Sequence, residues 1–107
     1  MMRSIMFGAL LLSVAGVVSA QDKAKGEQVY ADQKCSVCHA IAGKGNAKGA
    51  LDDIGSKRSA EEIRQWLVDA KAMTAKTKAA RKPEMKAYSL PKDDVDALVA
   101  YLSSLKK

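Results

Sequence analysis

Cys35-Ser36-Val37-Cys38-His39 constrains this 107-residue chain more than any other stretch. Two thiols three positions apart can each add to a vinyl group of haem, and the adjacent imidazole then lies where it can ligate iron. C-x-x-C-H is the spacing of covalent c-type haem attachment. The chain has two cysteines and one histidine, so all three belong to this run. A domain this small builds a marginal core and usually needs a staple. A large apolar disc would supply one, because a few short helices can share it as their centre.

Other uses of the same side chains fit less well. A structural disulfide or a thioredoxin-like dithiol would employ both cysteines, but a redox pair is expected beside a βαβ pattern, which this sequence lacks. Zinc would have three ligands bunched together and no fourth Cys or His.

The first twenty residues read as a leader. Arg3 gives a short positive region, Ile5 to Val18 is apolar, and Val18-Ser19-Ala20 offers a small-residue cleavage site before Gln21. These are the parts of a secretory signal peptide, and the apolar stretch falls short of the ~20 residues of a spanning helix. The expectation is export to the periplasm, with no membrane span after leader removal. Residues 21–107 then form one small domain. The chain has 18 basic and 12 acidic side chains, and losing Arg3 takes the net charge from +6 to +5. Two haem propionates would offset part of that. The remainder suits an acidic partner surface, whereas no nucleic-acid recognition motif is present.

Periodicity predicts helices and no β-strand. The first covers Ala24 to Gln33, with Gly26, Val29 and Tyr30 near one face. Residues 40–58 hold Gly43, Gly45, Gly49 and Gly55 and read as loop, with Leu51 and Ile54 as apolar anchors. Ser59 and Glu62 form a capping box, followed by the stripe Ile63, Trp66, Leu67 and Ala70. Residues 71–82, rich in Lys, Ala and Thr, extend that helix or fray from it, and Lys82-Pro83 stops it. Pro91 sits near the start of the last helix, Asp93 and Asp94 complement its positive end, and Val95, Leu98, Val99, Leu102 and Leu105 make its buried face.

Six-coordinate haem iron needs a second axial ligand, and methionine is a common partner of histidine. Met1, Met2 and Met6 leave with the leader, so the alternatives are Met85, Met73 or no methionine ligand. Met85 follows Lys82-Pro83-Glu84 in a segment that should be extended and able to lay a side chain over the haem. Met73 should point elsewhere. Leu51, Ile54, Trp66 and Leu67 are expected to line the haem cavity, with Ala50 also in the haem environment. Trp66 either packs in the core or turns its indole N–H to a propionate. Lys57 and Arg58 are candidate propionate partners, and Lys71, Lys76, Lys78, Arg81, Lys82 and Lys86 would frame the haem edge.

In Cys35-Ser36-Val37-Cys38-His39, the Gly26 to Tyr30 helix, Met85-Lys86-Ala87-Tyr88 and Asp94 to Leu102, the chain resembles a small bacterial class I cytochrome c. The resemblance implies an all-α fold, about three to four helices around one covalently bound haem c. It implies that Gly26 and Tyr30 cross Leu98 and Tyr101. A backbone carbonyl after the haem motif would accept the imidazole proton. Here Gly49-Ala50-Leu51 stands where Gly-Pro-x-Leu is usual, and Lys86 where a proline often follows the methionine. The implied function is a soluble, monomeric one-electron carrier, not an enzyme, with His39 and Met85 on iron and acidic periplasmic or membrane-bound redox proteins as partners. The alternatives are a haem subunit of a larger oxidoreductase, or a haem catalyst or sensor with a labile methionine.

Overall fold

A computed structural model describes residues 20–107. Apart from Ala20, the expected leader lies outside the described residues. Helix α1 (Ala20–Asp32) begins four residues before the expected start. Gln21 and Lys23 are exposed and tolerate helix, and Asp22 in the first turn faces the positive end of the helix dipole. The helix stops where Lys34 turns left-handed, at φ 57°.

Helix α5 (Lys92–Ser103) packs across α1. Gly26 makes that crossing close. A methyl group on its Cα would collide with the Ala97 carbonyl oxygen and lie 2.5 Å from Tyr101 Cβ. The Tyr30 and Tyr101 rings meet edge to face at 6.1 Å, and Lys25 reaches Asp94 at 3.5 Å. The expected pairing of Gly26 and Tyr30 with the Leu98–Tyr101 face is therefore present.

Helix α3 (Ala60–Val68) opens on the predicted capping box. The Glu62 amide donates to Ser59 Oγ at 3.1 Å, and the Ser59 amide donates to the Glu62 carboxylate at 3.1 Å. Its Ile63 and Leu67 join Val29, Tyr30, Val95, Leu98, Val99 and Leu102 in one apolar core. Fully burying a side chain of this size is worth roughly 1.5–3 kcal/mol, so this cluster dominates the favourable side of folding.

Three expectations need correction. First, residues 40–58 are not all loop, and a strand pair exists: β1 (Ala40–Ile41) runs antiparallel to β2 (Lys44–Gly45). Its turn uses Ala42 and Gly43 at φ 53° and 78°, the left-handed geometry of tight hairpins. A ladder of two residues is too short to leave an alternating pattern in the sequence.

Second, α2 (Ile54–Lys57) is one helical turn inside the same segment, clipped to the C-terminus by Gly55 N–H to the Leu105 carbonyl at 2.8 Å. Third, residues after Val68 neither extend α3 nor fray. Asp69 breaks the helix at φ −145°, ψ 50°, and α4 (Ala70–Thr77) starts anew. It buries Ala70 and Met73 and ends at a left-handed Lys78, five residues before the proline expected to stop it. Five α-helices thus stand among the described residues, where three to four were expected. The class remains all-α.

Candidate functional site

The haem motif folds as a tight 3-10 turn, Cys35–Val37. The amides of Cys38 and His39 both donate to the Cys35 carbonyl, at 3.1 and 2.9 Å. Side chains at i and i+3 eclipse in such a turn, which aims Cys35 and Cys38 the same way. Both are free thiols, and both line one cavity of about 660 Å3. That volume lies within the range of small-molecule and cofactor sites.

His39 lines the same cavity. Its Nδ1 lies 2.9 Å from the Gly49 carbonyl oxygen, so Nδ1–H donates there and the free lone pair falls on Nε2. Burial lowers the pKa of the imidazole, partly opposed by the Gly49 hydrogen bond, while the Arg81 charge lowers it further. A neutral ring is the ligating form. Gly49 cannot be larger: a methyl group there would collide with the Cys38 carbonyl oxygen and Arg81 Nη1, and sit 2.9 Å from His39 Nδ1. The loop is held over the histidine by the Leu51 amide, which donates to the Ala40 carbonyl at 2.8 Å.

The walls are largely apolar. Leu51, Ile54, Trp66 and Leu67 line the cavity as expected, and Met85 lines it too. Met73 does not: it is 5% exposed, buried by α4 away from the cavity. Trp66 is half-buried on α3 and also a wall residue.

Two expected neighbours of the site are elsewhere. Ala50 is exposed and outside the lining, because it bridges to Ala40 while its neighbour Gly49 supplies the carbonyl. Lys57 is exposed at the end of α2, whereas the next residue, Arg58, is extended and reaches the cavity. Arg58 is 3.8 Å from Glu62, a half-exposed pair worth little.

Three wall residues take on more than the sequence assigned them. Tyr88 lines the cavity with Cys35, and its hydroxyl opposes the burial that raises that thiol's pKa. It was visible only as the end of Met85-Lys86-Ala87-Tyr88. Arg81 passed for one more cation of a basic run. Tyr30 was assigned to helix packing alone, yet it also faces the cavity. Its hydroxyl is buried with no hydrogen-bond partner among the described residues, and burial pushes its pKa up to about 12.

These features fit haem: paired thiols on one rim, a neutral imidazole with a free Nε2, apolar walls and a thioether. They do not fit a bare ion, since among the described residues no three His, Cys, Asp or Glu side chains are grouped to hold one. The family model for cytochrome c matches residues 23–106. The chain belongs to the cytochrome c family. It is therefore a haem-based electron-transfer protein, and its mostly helical architecture is that of a small class I cytochrome c. This cytochrome c is also 30% identical over 91 residues to cytochrome c oxidase subunit 2 of Alkalihalophilus pseudofirmus (strain ATCC BAA-2126 / JCM 17055 / OF4). The match covers 77% of this chain and 25% of that protein, so the chain spans about a quarter of the relative's length. No solved structure matches.

Proposed function

We propose that this cytochrome c is a soluble, monomeric, monohaem electron carrier of the periplasm, exported by a cleaved leader at residues 1–20. The domain that remains is residues 21–107. In this reading Cys35 and Cys38 bind the haem covalently, and His39 and Met85 hold its iron. The observation that carries it is one cavity lined by both thiols, the single histidine and Met85, with Met73 buried outside. When bound, haem supplies a one-electron couple at iron.

The protein's part is to keep that couple apart from other chemistry. The Gly49 carbonyl fixes the imidazole tautomer and orientation. Leu51, Ile54, Trp66, Leu67, Leu98 and Leu102 exclude water. With His39 and Met85 both holding the iron, no position would remain for a substrate, and the protein would act as a carrier rather than an enzyme. A thioether beside histidine favours the reduced state.

Electrons would leave near Val37, which lines the cavity and is 68% exposed. Exposed Lys71, Lys76, Lys78, Lys82 and Lys86 lie on α4 and the segment after it. Of these, Lys86 lines the cavity with Val37, and an apolar contact joined to basic side chains suits an acidic redox partner, periplasmic or membrane-bound. Among the described residues no helix is long and apolar enough to cross a membrane.

A second reading rests on the relative. It is named as an oxidase subunit, and the present domain would then be the haem part of a larger complex. A haem catalyst or sensor would need an axial site that opens readily. Carbon monoxide added to the ferrous protein separates these classes: a carrier binds it slowly or not at all, and prompt binding by the native protein overturns the carrier reading. The ligand itself is tested by Met85→Ala, which should abolish the weak sulfur-to-iron band near the red end of the ferric spectrum. Persistence of that band would remove Met85 from the iron.

A further inference from the structure

The segment that carries Met85 is poorly held by its own backbone. Between the Ala79 amide, bonded to the Thr74 carbonyl, and the Tyr88 amide, bonded to the Leu67 carbonyl at 2.8 Å, no backbone–backbone hydrogen bond occurs among the described residues. Lys82 and Glu84 pair only with each other across 2.8 Å. A segment so tethered opens locally at low cost, yet Met85 sits in its middle. Side chains must fix it.

Met85 itself packs against the apolar core, and Arg81 is placed to hold the segment to the loop opposite. It enters from the Met85 segment, lines the cavity, and lays Nη1 against Gly49, the residue whose carbonyl holds His39. The same small space above the Gly49 Cα is shared by the Cys38 carbonyl oxygen and His39 Nδ1. Other cations of the wall are occupied differently: Arg58 faces Glu62, and Lys86 lies over the Tyr88 ring at 5.3 Å. None of the ion pairs among the described residues uses Arg81. A planar guanidinium offers a rigid fork of donors to a carbonyl-rich loop, and Gly49 gives it room to approach.

We propose that Arg81 is a positioning residue that clasps the Met85 segment to the proximal His39 loop across the cavity. The clasp rests on the assignment of Met85 to the iron. It makes the methionine slow to yield its place, and it sets a fixed positive charge beside the imidazole that disfavours the oxidised iron.

The holoprotein and its Arg81→Gln, Arg81→Lys, Lys57→Gln and Met85→Ala variants test this. The readouts are the carbon monoxide binding rate of the ferrous form and the midpoint potential. Arg81→Gln should bind carbon monoxide roughly threefold to tenfold faster, the scale of losing one ordinary net polar contact. Its reduced-to-oxidised ratio against a fixed mediator should fall by about threefold, where tenfold is 59 mV for one electron. Arg81→Lys should recover part of both changes. Lys57→Gln, which removes the same charge outside the cavity, should leave both within twofold of the parent. Arg81→Gln indistinguishable from Lys57→Gln overturns the clasp. Met85→Ala sets the fully open rate. If it binds carbon monoxide no faster than the parent, the Met85 assignment fails, whereas the potential shift still reports on Arg81.

Discussion

Gly26→Ala should destabilise this protein, although alanine is the better helix former. Inside an isolated helix the change would gain about 1 kcal/mol. Here the new methyl group meets the Ala97 carbonyl oxygen, Tyr101 Cβ at 2.5 Å and the Ala97 carbonyl carbon at 2.8 Å. None of these is the far end of a flexible side chain, so relief requires α1 and α5 to move apart. Overpacking of this kind costs about 1–3 kcal/mol, and more where backbone must shift. Separation would also loosen Val29 and Tyr30 against Leu98 and Leu102, all 9% exposed or less. With the cost near or above the upper end, the net loss is about 2 kcal/mol. For a domain this size each kcal/mol moves Tm by about 4–8 °C, so thermal unfolding followed by circular dichroism should fall by about 10 °C. A variant more stable than its parent would mean the helices do not cross where Gly26 lies.

Tyr30 titrates at about 12, above its ordinary 10.0, so the folded state favours the neutral phenol. That stability is complete below pH 10 and is lost as pH rises from 10 towards 12. Tyr30→Phe should therefore lose less stability than the parent across that window in denaturant titrations, and parallel curves would contradict the burial of its hydroxyl. Met73→Ala should cost roughly 2–5 kcal/mol as a core truncation while keeping the red-end ferric band, and loss of the band would move the ligand role to Met73. Electron exchange with an acidic redox partner should slow as salt rises, and Lys82→Glu should slow association more than Leu98→Ala. Salt-independent rates would reduce the basic rim to a solvated face.

What the sequence made legible was whatever depends on local chemistry. The haem motif fixes its own turn, Ser59 and Glu62 make a cap within four residues, and the α5 stripe announces its buried face. The Gly26 crossing was visible as a glycine beside an aromatic. Less legible were features set by tertiary contacts. The β1–β2 pair is two residues a side, and α2 is one turn stabilised through Leu105 at the far end of the chain. The boundary at Asp69 rests on backbone angles that no residue type there demands. Within the site, Cys35, Cys38, His39 and Met85 stood out because few alternatives existed. Arg81 and Tyr88 did not, because an arginine among lysines and a tyrosine after the methionine acquire roles only when the chain folds back over the proximal loop. Lys57 and Arg58 looked equivalent, yet Lys57 ends α2 while Arg58, the next residue, is extended and reaches the cavity.

The most direct test of a haem bound through Cys35 and Cys38 is mass spectrometry of the exported, coloured protein after acid and organic-solvent extraction. The expected spectrum has one haem retained on a chain beginning at Gln21, with the added mass on the peptide containing Cys35-Ser36-Val37-Cys38-His39. A colourless chain of unmodified mass, with the pigment in the organic layer or the two cysteines joined as a disulfide, would contradict it.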